Sequence, residues 1–156
     1  MAPTRRDISN SVSLLLCMLA AVSFLPTARA DKTDKSDDPY TAGKVWLGEL
    51  EQAKGNLKKI RIKARNGDRV NFVFQGAAAG AIWETSGLLH NGSVSLDILN
   101  RIVNPAGHEA VAVKEVSGSA VINADGSLNL AVSGRAFGDG ANNRPIGSKF
   151  VNAQPK

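Results

Sequence analysis

The sequence predicts an all-β domain: an antiparallel meander of roughly seven or eight strands, closed into a small barrel or folded into a sandwich. Three observations carry that expectation. The turn signals Asn66-Gly67, Asn91-Gly92 and Asp125-Gly126 recur between apolar runs, and such dipeptides are the strongest local hairpin signal. The runs alternate apolar and polar residues, as in Ile60-Arg61-Ile62-Lys63 and Leu128-Asn129-Leu130, which sends alternate side chains to opposite faces. Long amphipathic helices are missing from the pattern. Residues 49–58 contain Gly55 and lack an apolar stripe, and only residues 95–103 (SLDILNRIV) suit a helix about as well as a strand.

The first thirty residues have the parts of a secretion signal. Arg5 and Arg6 supply positive charge, residues 12–25 form an apolar run, Pro26 breaks it, and Ala28-Arg29-Ala30 offers small residues for cleavage after Ala30. The run is shorter than the ~20 residues a spanning helix needs. Residues 4–8 partly resemble a twin-arginine signal, but Ser9 stands where a second apolar residue is expected, so ordinary export is favoured. Cleavage leaves 126 residues without cysteine, carrying 16 basic and 13 acidic residues, a net charge of +3. One such domain, standing on packing rather than disulfides, fits a bacterial periplasmic or secreted protein.

Within the exported chain, residues 31–42 read as a disordered leader, 43–137 as the β domain, and 138–156 as a loop-rich tail with one short strand around 148–151. A first strand covers residues 44–50. Gly43-Lys44-Val45-Trp46 there resembles the Gly-x-Trp opening of lipocalin- and avidin-like barrels; no second motif follows, and no family is assigned. For the first hairpin a three-residue loop pairs Ala64 with Asp68, Ile62 with Val70 and Ile60 with Phe72. For the third it pairs Ile122 with Leu128, Ala120 with Leu130 and Gly118 with Val132. A one-residue slip in either would exchange the faces. The middle hairpin admits two registers, Leu88 opposite Val94 or Leu89 opposite Val94. The second and third hairpins also share a pattern, Glu84-Thr85-Ser86-Gly87 and Glu115-Val116-Ser117-Gly118.

The most distinctive candidate site is the strand holding Lys59, Arg61, Lys63 and Arg65. Period two puts these cations on one side, spaced ~7 Å apart over about 20 Å. Such a stripe suits an anionic envelope component or an acidic protein surface; it equally suits a solvated or edge-protecting face. Trp83 follows the small-residue segment 76–81 and is either a stacking platform or a core residue. His90 and His108 lack the further ligands a zinc site needs, and no metal or other cofactor is expected. Serines are abundant, but none sits in a nucleophile elbow. Glu84 and Glu115 occupy equivalent places in the two similar hairpins and could form a carboxylate pair acting on envelope glycan. The reading these observations favour is an exported, non-enzymatic binding or accessory protein contacting its partner through the basic strand face and Trp83. Nucleic acid is not expected as partner. The alternatives are the glycan enzyme and a subunit of a surface assembly.

Overall fold

The computed structural model describes residues 38–77, 80–103, 112–137 and 143–156, with the side chains of 102 and 103 left aside. The expected secretion signal, residues 1–30, and residues 31–37 of the expected leader lie outside the described residues. The described chain forms β1 (Val45–Leu50), β2 (Ala53–Asn66), β3 (Arg69–Gln75), β4 (Ala81–His90), β5 (Ser93–Val103), β6 (Ala112–Ile122), β7 (Leu128–Phe137) and β8 (Arg144–Pro155). Each strand pairs antiparallel with the next, and β8 returns to β1, giving a closed eight-stranded barrel rather than a sandwich. Residues 95–103 are strand, because their partners on β4 bury Leu96 and Leu99.

Alternation works as the sequence implies. Ile60, Ile62, Val70, Phe72, Phe74, Leu128, Leu130 and Val132 point inward and are buried. Each such side chain, taken fully from water, contributes roughly 1.5–3 kcal/mol. Charge stays outside: Lys59, Arg61, Lys63 and Lys149 are exposed, and Glu84 is half-buried on the same outer wall. An apolar filling with a charged wall is the inverse of a membrane-spanning barrel.

The three hairpins solve their registers differently. The third follows the expected loop, with Ile122↔Leu128, Ala120↔Leu130 and Gly118↔Val132. The second takes the two-residue option, Leu89↔Val94, and Asn91 and Gly92 both have positive φ (49° and 76°), as a type I′ loop demands. The first departs from expectation. Its loop is Gly67-Asp68, a shift of three from the predicted pairing, and a bulge at Lys63 takes back one, so Ile60 faces Phe74 and Ile62 faces Phe72, two residues beyond the predicted partners. An even shift leaves the apolar faces inward. That bulge, between Ile62 and Ala64, inserts one residue, and Arg65 falls opposite Val70.

Two glycines mark where the wall is tightest. Gly87, Leu96, Gly118 and Val132 form one row across β4 to β7. A Cβ on Gly87 would lie 1.9 Å from the Ser95 carbonyl oxygen, and one on Gly118 would lie 2.2 Å from that of Ala131. The repeated Ser-Gly of the second and third hairpins therefore sets a glycine on each side of Leu96, alternating small and large residues along the inner wall.

The ends of the barrel differ. Residues 38–44 cross one end and plug it with Tyr40, which is buried although it lies in the expected leader. The Tyr40 hydroxyl donates to the Gly92 carbonyl (2.8 Å) and accepts from the Ile122 N–H (3.1 Å). Burial pushes the phenol pKa up, the Ile122 hydrogen bond opposes that, and the charge of Asp38 adds to it. Beside it the Trp46 indole N–H donates to the Gly126 carbonyl (2.8 Å). The tail differs from expectation in length: β8 runs over 12 residues and pairs with both neighbours.

Two substitutions test this packing by urea unfolding. Tyr40→Phe leaves the part-buried Ile122 N–H without its acceptor and is expected to cost ~1–3 kcal/mol; an unchanged midpoint would contradict the role of the Tyr40 hydroxyl in the plug. Gly118→Ala is expected to cost about 1–3 kcal/mol or more through overpacking, and a neutral result would contradict the close approach of β7.

Candidate functional site

The basic stripe survives in part. Lys59 and Arg61 project outward from β2 and are exposed, and among the described residues neither has an acidic partner. They flank a shallow groove of about 220 Å³, floored by Val73, Phe74, Gln75 and Ile82. The Lys59 N–H donates to Gln75 Oε1 (3.1 Å), which fixes one wall. Leu57, 65% exposed, continues the same outward row. Lys63 also points outward, but its ammonium is bound to Glu84 (2.9 Å).

Arg65 does not belong to this face. The bulge adds one residue before it, which reverses the alternation, so Arg65 lies on the inward side opposite Val70. There it pairs with Asp38 and donates from Nε to the Gly67 carbonyl (2.9 Å). Asp38 in turn accepts from the Tyr40 N–H (2.8 Å), so Arg65 anchors the plug rather than a partner.

Trp83 is likewise apart from the stripe. It faces the barrel interior, 7% exposed, at the end away from Tyr40. Its ring stacks on Phe74 at a centroid distance of 6.0 Å and 26° between planes. It is a core residue, but its other neighbour is unusual: the Arg101 guanidinium lies 6.0 Å from the ring centroid. No sequence motif marks Arg101. The signal was available, since as a strand 95–103 puts Arg101 on the face of Leu99, and the competing helical pattern concealed it.

The carboxylates do not form a pair. Glu84 lies on β4 and accepts from Lys63 (2.9 Å) and Asn71 (2.7 Å). Glu115 lies on β6, is exposed and pairs with Arg135 (3.1 Å). β5 lies between their strands, and each carboxylate is held by its own cation, Lys63 or Arg135. His90 is exposed beside the Asn91-Gly92 turn, and His108 lies outside the described residues. Among the described residues no three His, Cys, Asp or Glu side chains gather as metal ligands. A second depression, about 440 Å³, opens at the plugged end among Pro39, Lys44, Trp46, Ile122, Gly126 and Pro155; its lining is chiefly apolar and main-chain.

Two ion pairs tie the outer wall across strands. Arg69 binds Asp97 through two hydrogen bonds (2.8 and 2.9 Å), reaching across β4 to the residue that the β4–β5 bulge turns outward. That hydrogen bonding holds the Asp97 carboxyl below its ordinary range. For Glu84, partial burial pushes the carboxyl up, but the hydrogen bonds from Lys63 and Asn71 and the charge of Lys63 outweigh it, so the net shift is downward.

Comparison of the chain with protein-family models, with curated proteins and with solved structures finds no match in any of the three. Fold and site therefore define only a class: a closed eight-stranded antiparallel barrel, plugged at one end, with a basic groove on its wall whose cations have no acidic partner among the described residues.

A carboxyl with a lowered folded pKa contributes stability above its unfolded value, about 4.3 for Glu, and loses it as pH falls through the folded value. The wild-type unfolding free energy is therefore expected to drop more steeply between about pH 5 and pH 3 than that of Glu84→Gln. Parallel curves from urea titrations at each pH would contradict the Lys63–Glu84–Asn71 arrangement.

Proposed function

We propose that this protein is an exported, non-enzymatic binding protein of the bacterial cell envelope that engages an anionic partner through Lys59 and Arg61 on the outer face of β2. The observation that carries the reading is the contrast among the cations. Lys63, Arg65, Arg69, Arg135 and Lys149 are each matched to a carboxylate; among the described cations without one, which include Lys44, Lys54 and Lys58, Lys59 and Arg61 are the two that flank this groove. A fixed charge already compensated within the chain has little left for a partner, while an exposed, unpaired cation next to an apolar groove floor can offer both charge and contact area. The exposed Leu57 enlarges that apolar contribution.

The rigid barrel supports this role by holding the two cations in register. Arg61 is held between Val45 on β1 and Val73 on β3, and Lys59 stands opposite Leu47 on β1 while its N–H is held by the Gln75 side chain. A two-cation contact is electrostatic and sensitive to screening: the Debye length falls from ~30 Å at 0.01 M salt to ~3 Å at 1 M.

The expected outcome is that protein retained on an anionic envelope fraction at low salt elutes as salt rises. A Lys59→Ser/Arg61→Ser variant should fold normally and lose that retention, while Lys63→Ser keeps most of it. Equal retention of wild type and double variant would reject the site.

A further inference from the structure

We propose that Arg101 and Trp83 form a second site, inside the barrel end opposite the plug, for a small amphiphilic carboxylate: one anionic head with an apolar body. This does not rest on the outer basic groove. Arg101 lies directly opposite Trp83 in the β4–β5 ladder, and the residue two places before it, Leu99, is buried. Paired residues share a face, so the guanidinium belongs to the inner wall. Its inner neighbours are Trp83, Leu99 and Ala81, with Phe74 stacked behind the indole.

A cation in such company needs an anion. The Arg101 Nε is cut off from solvent and has no hydrogen-bond acceptor. Among the described residues no carboxylate lies within ion-pair distance of it. Burying a charged donor without a partner is costly, whereas the same position becomes favourable once a carboxylate arrives. Contact with Trp83 supplies a platform but no acceptor. The Nε without an acceptor lies on the edge of the guanidinium fork, and that edge matches the two oxygens of a carboxylate. One cation in an apolar wall balances a monoanion; a phosphate dianion would remain half-compensated.

Among the described residues the β5–β6 ladder ends at Leu96↔Gly118, so β5 beyond Leu96, including Arg101, is paired on the β4 side alone. The indole itself is held in place. A Cβ on Gly76 would come 2.4 Å from Trp83 Nε1, so the chain at residue 76 lies against the ring edge while Phe74 supports its face.

Calorimetric titration of the purified protein with decanoate, kept below micelle formation, tests the assignment. Saturable binding is expected, with decanol at least roughly tenfold weaker, and Arg101→Gln should lose about tenfold or more in decanoate affinity. Arg101→Lys should fall between, because it keeps the charge and loses the fork. Without decanoate, Arg101→Gln should melt at or above the wild-type temperature, since a partly buried cation whose Nε lacks an acceptor is gone. Lys59→Ser/Arg61→Ser should bind decanoate as wild type does. Absence of saturable binding, equal binding by Arg101→Gln, loss of binding in the Lys59/Arg61 variant, or a marked drop in the melting temperature of Arg101→Gln would each overturn the site.

Discussion

Strands that bury one face and expose the other still leave two raw edges unless the first and last pair with each other, and here β1 and β8 do so. Trp46↔Pro155, Leu47↔Gln154 and Leu50↔Phe150 close the ladder. The fit is close: a Cβ on Gly48 would meet that of Ala153 at 2.6 Å. Closure brings Phe150 edge-on to Phe74 at 5.4 Å, joining walls remote in sequence into one core. It also removes the exposed edges that would otherwise invite intermolecular pairing. Every inward residue owes its burial to this seam, because an open sheet of the same sequence would have a wet face on each side.

Closure makes the two ends inequivalent. At one end, Tyr40 reaches the second and third hairpins at once, through Gly92 and Ile122, and Trp46 reaches Gly126. Polar side chains thus satisfy main-chain groups that the curving hairpins leave without ladder partners. Arg65 and Asp38 hold the plug from the β2 side. The opposite end keeps a cation, Arg101, among apolar side chains without such a partner. The contrast sets a plugged end against one where, among the described residues, a partly buried arginine lacks an acceptor for its Nε.

Bulges decide which charges are available outside. One extra residue at Lys63 sends Arg65 inward, and one at Asp97 sends that carboxylate outward to Arg69. The unpaired pair Lys59 and Arg61 is what remains after the other β2 cations of the stripe have been used by neighbours. Alternation made the stripe visible in the sequence, and the third hairpin could be registered there because only one alignment keeps Ile122, Leu128 and Leu130 on a common face. The first hairpin could not be: a bulge depends on how two strands twist against each other, and no local residue pattern announces it. Trp83 was noticed but its face was not, since it follows a segment of small residues without alternation. Arg101 was hidden by apolar spacing that fits two periods.

The sequence by itself determined what local chemistry can determine. Period two made strands, Asn-Gly and Asp-Gly made turns, and together they required an antiparallel meander with apolar residues on one side. The tertiary structure alone decided that the meander closes as a barrel, that residues 144–155 are its closing strand, and which cations are matched by acids. Those outcomes depend on twist, curvature and contacts between residues as far apart as Trp46 and Pro155. A short window carries the preference of each strand for one face, but only the closed ring fixes which strand meets which and how much charge is left over.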